Sequence, residues 1–202
     1  MSTIYQYTTL AAPAQAEFKD KGSRFLAFAY PVQDESEICQ YVQTLREQHH
    51  KARHCCFAWR LGVDGNRYRA NDDGEPAGSA GRPILGQIDS ANITDVVVIV
   101  VRYFGGTLLG VPGLIHAYKS ATAAAIEAAD KICLDVCRQL WLYCDYAHLS
   151  EAMRWCRQQQ AQIIQQDLQQ QCCLSVRLPL AQLESGLSSL RKLRMIDVKL
   201  DN

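Results

Sequence analysis

The chain reads as an α+β protein of two domains, and three observations lead there. The run Val96–Val101 is apolar without alternation, as in a strand covered on both faces. Segments with strand alternation and segments with helical spacing follow one another along the chain. Near Asp130–Lys131 the character changes: glycine almost vanishes and glutamine becomes abundant. The 202 residues are enough for two domains, each with its own core, and the expected division is 1–131 and 132–202.

The elements follow in order. Up to about Ala11, tyrosines alternate with small polar residues, which suits an edge strand. Ala16–Lys21 and Ser23–Pro31 form a hairpin turning at Lys21–Gly22, with Phe25, Ala27 and Ala29 on one face. Asp34 is the expected N-cap of a helix running to about His49, its spacing carried by Ile38, Val42 and Leu45, with Tyr41. His54–Leu61 has strand composition, and Gly62–Asn66 is a turn leading to a short strand, Arg67–Asn71. Asp72–Gly78 is too rich in Asp, Gly and Pro for regular structure. A short helix is expected from Pro83, with Ile84, Leu85 and Ile88 inward. After the Val96–Val101 strand, a Gly105–Gly113 loop turns into a helix with Leu114, Ala117, Tyr118, Ala121 and Ala125 on its face.

Beyond residue 131 a strand alternates through Ile132, Leu134, Val136, Leu140 and Leu142. A helix over Ser150–Gln159 has Met153 and Cys156 inward, and short strands follow near Gln162–Gln166 and Cys172–Leu178. A helix with Leu183, Leu187 and Leu190 and a strand with Ile196, Val198 and Leu200 complete the pattern βαββαβ, that of a ferredoxin-like domain.

Lysine plus arginine equals aspartate plus glutamate, 21 each, so no global field draws the protein to nucleic acid or membrane, and any such binding rests on a local patch. No apolar run approaches transmembrane length, and the N-terminus lacks the pattern of a signal peptide. The nine cysteines are therefore expected to be reduced and mostly buried, in a soluble cytoplasmic protein. The C-terminal thiols have no paired zinc-ligand spacing, and no metal or cofactor is expected.

Candidate chemistry gathers between Asp72 and Tyr118, where seven of the twelve glycines fall from Gly74 to Gly110. Asp72, Asp73 and Glu75 are the candidate catalytic residues: they could offer hard oxygen ligands or a general base. They are equally typical of a solvated turn or cap, and could pair with Arg82 or Arg102 to brace the fold. The Gly105–Gly113 loop lies between a strand and a helix, a setting for anion binding, yet it has neither the P-loop nor the dinucleotide pattern, and a tight turn explains its glycines as well. Cys55 adjoins His54 but points to the opposite face of a strand and makes a poor dyad; only Cys56, two positions from His54, shares its face, and buried, inert thiols are the default reading. Arg46, Lys51, Arg53, Arg60, Arg67 and Arg69 outnumber Glu47 and Asp64, and His49, His50 and His54 add potential charge, a modest footprint for phosphates, with Trp59, Tyr68, Tyr103 and Phe104 interleaved for stacking. The nucleic-acid or anion candidates are Lys51, Arg53, His54, Arg82 and Arg102, with Tyr103, Gly105, Gly106, His116 and Lys119.

At Asp72–Leu85 (DDGEPAGSAGRPIL) and Val101–Gly106 (VRYFGG) the sequence closely resembles the IMPACT family, bacterial YigZ-like branch, and Ala52–Ala58 resembles an earlier segment of that family. The resemblance implies an N-terminal domain like the second domain of small-subunit ribosomal protein five. It implies a C-terminal ferredoxin-like domain like the last domain of elongation factor G. The resemblance links eukaryotic members to control of translation initiation, through competition for a scaffold that activates an initiation-factor kinase; their additional N-terminal binding module is not found in this sequence, so that partner is not expected to carry over. Ser79 stands where the family usually has threonine, His116 where a lysine or arginine is common, and Pro112 where a glycine is usual. A proline there removes one N–H donor from any phosphate-wrapping loop.

Three function classes follow. The first is a non-enzymatic binding protein linked to translation regulation, with RNA or a ribosome-associated protein as partner and contacts through Lys51, Arg53, His54, Arg102 and Gly105–Gly106. The second is an enzyme on a phosphate-bearing or small polar substrate, served by Asp72, Asp73 and Glu75. The third is a protein-interaction regulator docking through the ferredoxin-like domain.

Overall fold

The computed structural model describes residues 3–169, 171–193 and 195–200. The chain divides into two compact units, Tyr7–Leu134 and Met1–Gln6 with Asp135–Asn202. The larger unit contains β1 (Gln6–Leu10) from its second residue of the strand onward, β2 (Ala14–Asp20), β3 (Ser23–Pro31), α1 (Glu35–Gln48), β4 (His54–Leu61) and β5 (Arg67–Asn71). It continues with α2 (Gly81–Ser90), β6 (Val96–Tyr103), α3 (Gly110–Glu127) and β7 (Lys131–Asp135) up to its fourth residue.

Its five-stranded sheet runs β2-β3-β6-β4-β5 with every neighbouring pair antiparallel. The central position of β6 explains its unbroken apolar run. Val96, Val98 and Val100 join Phe25, Ala27 and Ala29 under α2 and α3, while Val97, Ile99 and Val101 join Cys55, Trp59 and Leu61 under α1. Both faces are covered, so alternation has nothing polar to show. The alanines of α3 at 117, 121 and 125 are fully buried and let that helix lie close to the sheet. The hairpin turns at Lys21 and Gly22, both at positive φ (43° and 81°), and Asp34 caps α1 by accepting from Ser36 N and Glu37 N.

Two helix starts differ from expectation in the same way. α2 begins at Gly81 rather than Pro83, and α3 at Gly110 rather than beyond Gly113. In each the proline, Pro83 or Pro112, is the third helical residue. The first four N–H groups of a helix have no intrahelical acceptor, so the missing donor breaks no bond there. The strand expected through Leu142 is in fact two. β7 pairs with β1 in a two-stranded sheet, and the chain breaks at Val136, whose N–H is taken by Tyr5 O and whose carbonyl accepts from Leu180 N.

The smaller unit carries β8 (Cys137–Cys144), α4 (Leu149–Gln158), β9 (Gln162–Leu168), β10 (Cys172–Pro179), α5 (Leu183–Lys192) and β11 (Ile196–Leu200). Its antiparallel sheet has the order β11-β8-β10-β9, the arrangement of the ferredoxin-like βαββαβ fold. Leu140, Leu142, Leu174, Val176, Trp155 and Leu190 form its core. Cys156 is buried in that core and Met153 packs half-buried against it.

Candidate functional site

The loop from Asp72 to Ala80 joins β5 to α2 and passes over the end of the sheet where β4 starts and β6 ends; His54 and Arg102 are directly paired there. Asp73, Gly74 and Gly78 take positive φ (42°, 84° and 75°) to make the bend. Asp72 folds into this bend and accepts from Gly78 N (2.8 Å), Ala80 N (3.0 Å) and Gly81 N (2.8 Å). An internal carboxylate thus fills the N-terminus of α2, which would otherwise attract an anion. Burial, the largest single influence, pushes the Asp72 pKa up, but the three N–H donors and Arg82 outweigh it and hold the carboxyl below its ordinary range.

Asp73 accepts from Cys55 N (2.7 Å) and from Arg46 Nη2 (2.6 Å), while its own carbonyl meets His54 Nδ1 at 2.9 Å. Glu75 turns inward, and its Oε1 accepts from Arg102 Nη1 (2.7 Å) and Tyr118 Oη (2.8 Å). Arg102 also lies 5.6 Å above the Phe25 ring and 5.8 Å above that of Phe104. The Cys56 thiol sits 3.0 Å from Asp72 O and 3.3 Å from Tyr118 Oη. Burial pushes the Tyr118 phenol and the Cys56 thiol far up, so both stay protonated and act as donors.

Of the two readings of Asp72, Asp73 and Glu75, this arrangement matches the one in which they brace the fold, although Asp73 also lines a cleft beside β4. Each carboxylate is engaged by donors of the fold itself: the first fixes a helix start, the second ties α1 to β4, and the third ties the loop to β6 and α3. Among the described residues, no group of three or more His, Cys, Asp or Glu side chains is arranged to hold a metal ion. Arg102, a sequence candidate for anion contact, is buried and paired with Glu75.

The glycine pair has an equally local explanation. A Cβ on Gly105 would come within 1.9 Å of Gly22 C and 2.1 Å of Ser23 N, so this residue is glycine because two backbones touch. Gly106 faces open space and takes φ 87°. His116 meets Phe18 edge-on at 5.9 Å, and Lys119 is exposed on α3, which packs on β2 and β3.

On the α1 side the geometry is different. Of the six local cations, Arg46 pairs with Asp73, Arg60 with Asp89 and Arg67 with Glu35. Among the described residues Lys51, Arg53 and Arg69 form no ion pair, and all three are exposed. The six do not make one patch, because Arg53 and Arg60 stand at opposite ends of a strand about 25 Å long. A cleft of about 300 Å³ opens beside the start of β4, lined by Arg46, His49, His50, Arg53 and Asp73, with Cys55 at its base. His49 lies 2.8 Å from Tyr103 Oη, and burial lowers its pKa, favouring the neutral ring. A second cleft of about 300 Å³ runs along α1 between Ile38, Cys39, Val42, Phe57, Trp59 and Arg69, with Arg46 shared by both.

Residues 21–126 match the family model described as the Impact N-terminal domain, and a curated relative, the IMPACT family member YigZ of Escherichia coli, is 34% identical over 173 residues, 85% of each chain. The chain belongs to the IMPACT family. The protein IMPACT homolog of Saccharomyces cerevisiae is 35% identical over 114 residues, 54% of this chain and 43% of its own. A crystal structure of a hypothetical protein superposes over 99% of both chains, with TM-score 0.78 and 29% identity.

In this IMPACT-family chain the sequence candidates therefore separate. Lys51, Arg53, His54 and Tyr103 gather at one end of the sheet, near the cationic cleft. Arg82 is exposed at the start of α2, and His116 and Lys119 belong to α3 across the sheet from α1. His49 and His50 stand out in the sequence only as added potential charge in the basic segment, and Cys39 and Phe57 carry no site signal there. Arg46, His49, His50 and Arg53 do recur at three- and four-residue steps, but the cleft they line depends on where α1 lands on β4.

Proposed function

We propose that the chain is a non-enzymatic binding protein, RNA- or ribosome-associated and linked to the regulation of translation, which meets phosphate through the α1 side of its larger unit. The observation that carries this reading is the pair of exposed cations Lys51 and Arg53, without an ion pair among the described residues, beside the cleft of Arg46, His49 and His50. Phosphate contacts of this kind position a nucleic acid without reading its bases. The link to translation comes from the family resemblance of the sequence. The engagement of Asp72, Asp73 and Glu75 inside the fold supports a binding role rather than acid–base catalysis. Cytoplasmic location fits the same reading, and among the described residues no helix is long and apolar enough to cross a membrane.

Fluorescence anisotropy of a labelled single-stranded RNA, titrated across a salt series, tests this. Each neutralised phosphate contributes about −0.7 to the slope of log K against log salt. Binding that weakens steeply with salt is expected; absent binding at low salt, or binding indifferent to salt, would sink the proposal.

A further inference from the structure

We infer that the two clefts along α1 form one groove for a nucleoside 5′-phosphate, base in the apolar cleft and phosphate in the cationic one. This rests on the reading above that the α1 side meets phosphate, and adds what else the groove holds.

The apolar cleft lies between α1 and the β4–β5 end of the sheet. Toward β3, Tyr41 stacks on Tyr30 with ring centroids 4.1 Å apart and planes within 10°. Toward β5, a strand of five residues, no stacked ring pair is found among the described residues; the exposed Arg67–Glu35 pair links the two elements, and Ile38 and Val42 line the cleft with Phe57 and Trp59. Trp59 is only 6% exposed, so it forms a wall fixed by the core rather than a mobile side chain. A flat apolar body fits between aliphatic and aromatic walls.

Arg46 lines both clefts, so they adjoin at its side chain. Of its five N–H donors one goes to Asp73, and Asp73 is itself held by Cys55 N, which fixes the guanidinium in place and leaves donors over. The acids on the groove are already paired, Asp73 with Arg46 and Glu35 with Arg67, whereas Arg53 and Arg69 form no ion pair among the described residues. The charge left over is positive, which suits a phosphate. From Val42 to His49 along the helix is about 10 Å, a span that a mononucleotide bridges.

The same chemistry is offered by a free nucleotide and by the 5′ end of an RNA. Calorimetric titration of the full chain with adenosine 5′-monophosphate, adenosine and inorganic phosphate is the test. The nucleotide is expected to bind about tenfold tighter than either fragment. It should also slow maleimide modification of Cys39, an exposed thiol on the groove, without slowing that of exposed Cys133 and Cys137. Cys39→Trp, at an exposed helix position, should abolish nucleotide binding while Cys39→Ser retains it. A nucleotide that binds no better than phosphate, unprotected Cys39, or unimpaired binding by Cys39→Trp would overturn the groove. Salt-dependent RNA binding that persisted through those results would leave the proposed function standing. Where the nucleotide binds, tighter binding of a 5′-phosphorylated RNA than of its 5′-hydroxyl counterpart assigns the groove to RNA ends, and equal binding of the two assigns it to free nucleotides.

Discussion

Replacing Glu75 tests the role assigned to the acidic loop. Its side chain is 3% exposed and that of Arg102 is 7% exposed, so Glu75→Ala leaves a guanidinium inside the protein without its counter-charge. Arg102 Nε has no acceptor among the described residues, so the loss of Oε1 strips the group further. Tyr118 Oη loses its acceptor in the same step. Breaking a buried pair from one side costs about 3–5 kcal/mol, a large share of the total stability of about 5–15 kcal/mol usual for a domain. At about 3 °C per kcal/mol, the thermal midpoint of the larger unit should fall by about 10–15 °C. Glu75→Gln keeps an acceptor without the charge and should cost about 1.5–3 kcal/mol. The double variant Glu75→Leu with Arg102→Met removes both charges and should recover most of the loss, because an apolar replacement of similar volume is often neutral. Circular dichroism melts of the four proteins supply the measurement. A loss below about 1 kcal/mol for Glu75→Ala, or a double variant no better than the single one, would refute the account of this cluster.

Three further outcomes are expected. Gly105→Ala should destabilise by about 1–3 kcal/mol or more through the clash with Gly22, whereas Gly106→Ala, strained only by its φ of 87°, should lose about 1 kcal/mol; chemical denaturation separates them. The lowered Asp72 pKa means that its contribution is present above the unfolded carboxylate pKa and is lost as pH falls below about 4 toward the folded value; Asp72→Asn should be less stable at neutral pH and lose less between about pH 4 and 2, as urea midpoints at several pH values would record. Burial, opposed by Arg46 and reinforced by Asp73, pushes the Cys55 thiol up from 9.0 to about 11, so its thiolate fraction is about a hundredfold below that of an ordinary thiol; mass spectrometry should find Cys39, Cys133 and Cys137 modified by maleimide well before Cys55 or Cys56.

Much of the fold was legible because its signals are local. The Lys21–Gly22 turn needs positive φ, Asp34 needs only the next turn of helix, and the β6 run announces a strand covered on both sides. The starts of α2 and α3 lie earlier than the residue pattern suggests, because Pro83 reads as the first helical residue and the glycines through Gly113 read as loop, whereas an early helical position without an intrahelical acceptor tolerates proline. The division at Val136 was hidden because alternation continues across it; only the pairing of β7 with β1, distant in sequence, separates the strands. The acidic loop was recognisable as special, and Arg102 was among its foreseeable partners. That Glu75 rather than its neighbours turns inward depends on Tyr118, far along the chain. The groove under α1 was not legible at all, since it is a gap between a helix flank and a short edge strand and has no residue pattern of its own.

The central claim is that Lys51 and Arg53 hold phosphate, and the salt dependence of RNA binding measured on the double variant Lys51→Ala with Arg53→Ala tests it most directly. Each cation that neutralises one phosphate of a single strand contributes about 0.7 to the slope. The account predicts a double variant that folds normally, binds RNA more weakly at low salt, and has a slope shallower by about 1.4. A variant with the slope and affinity of the wild type would contradict it.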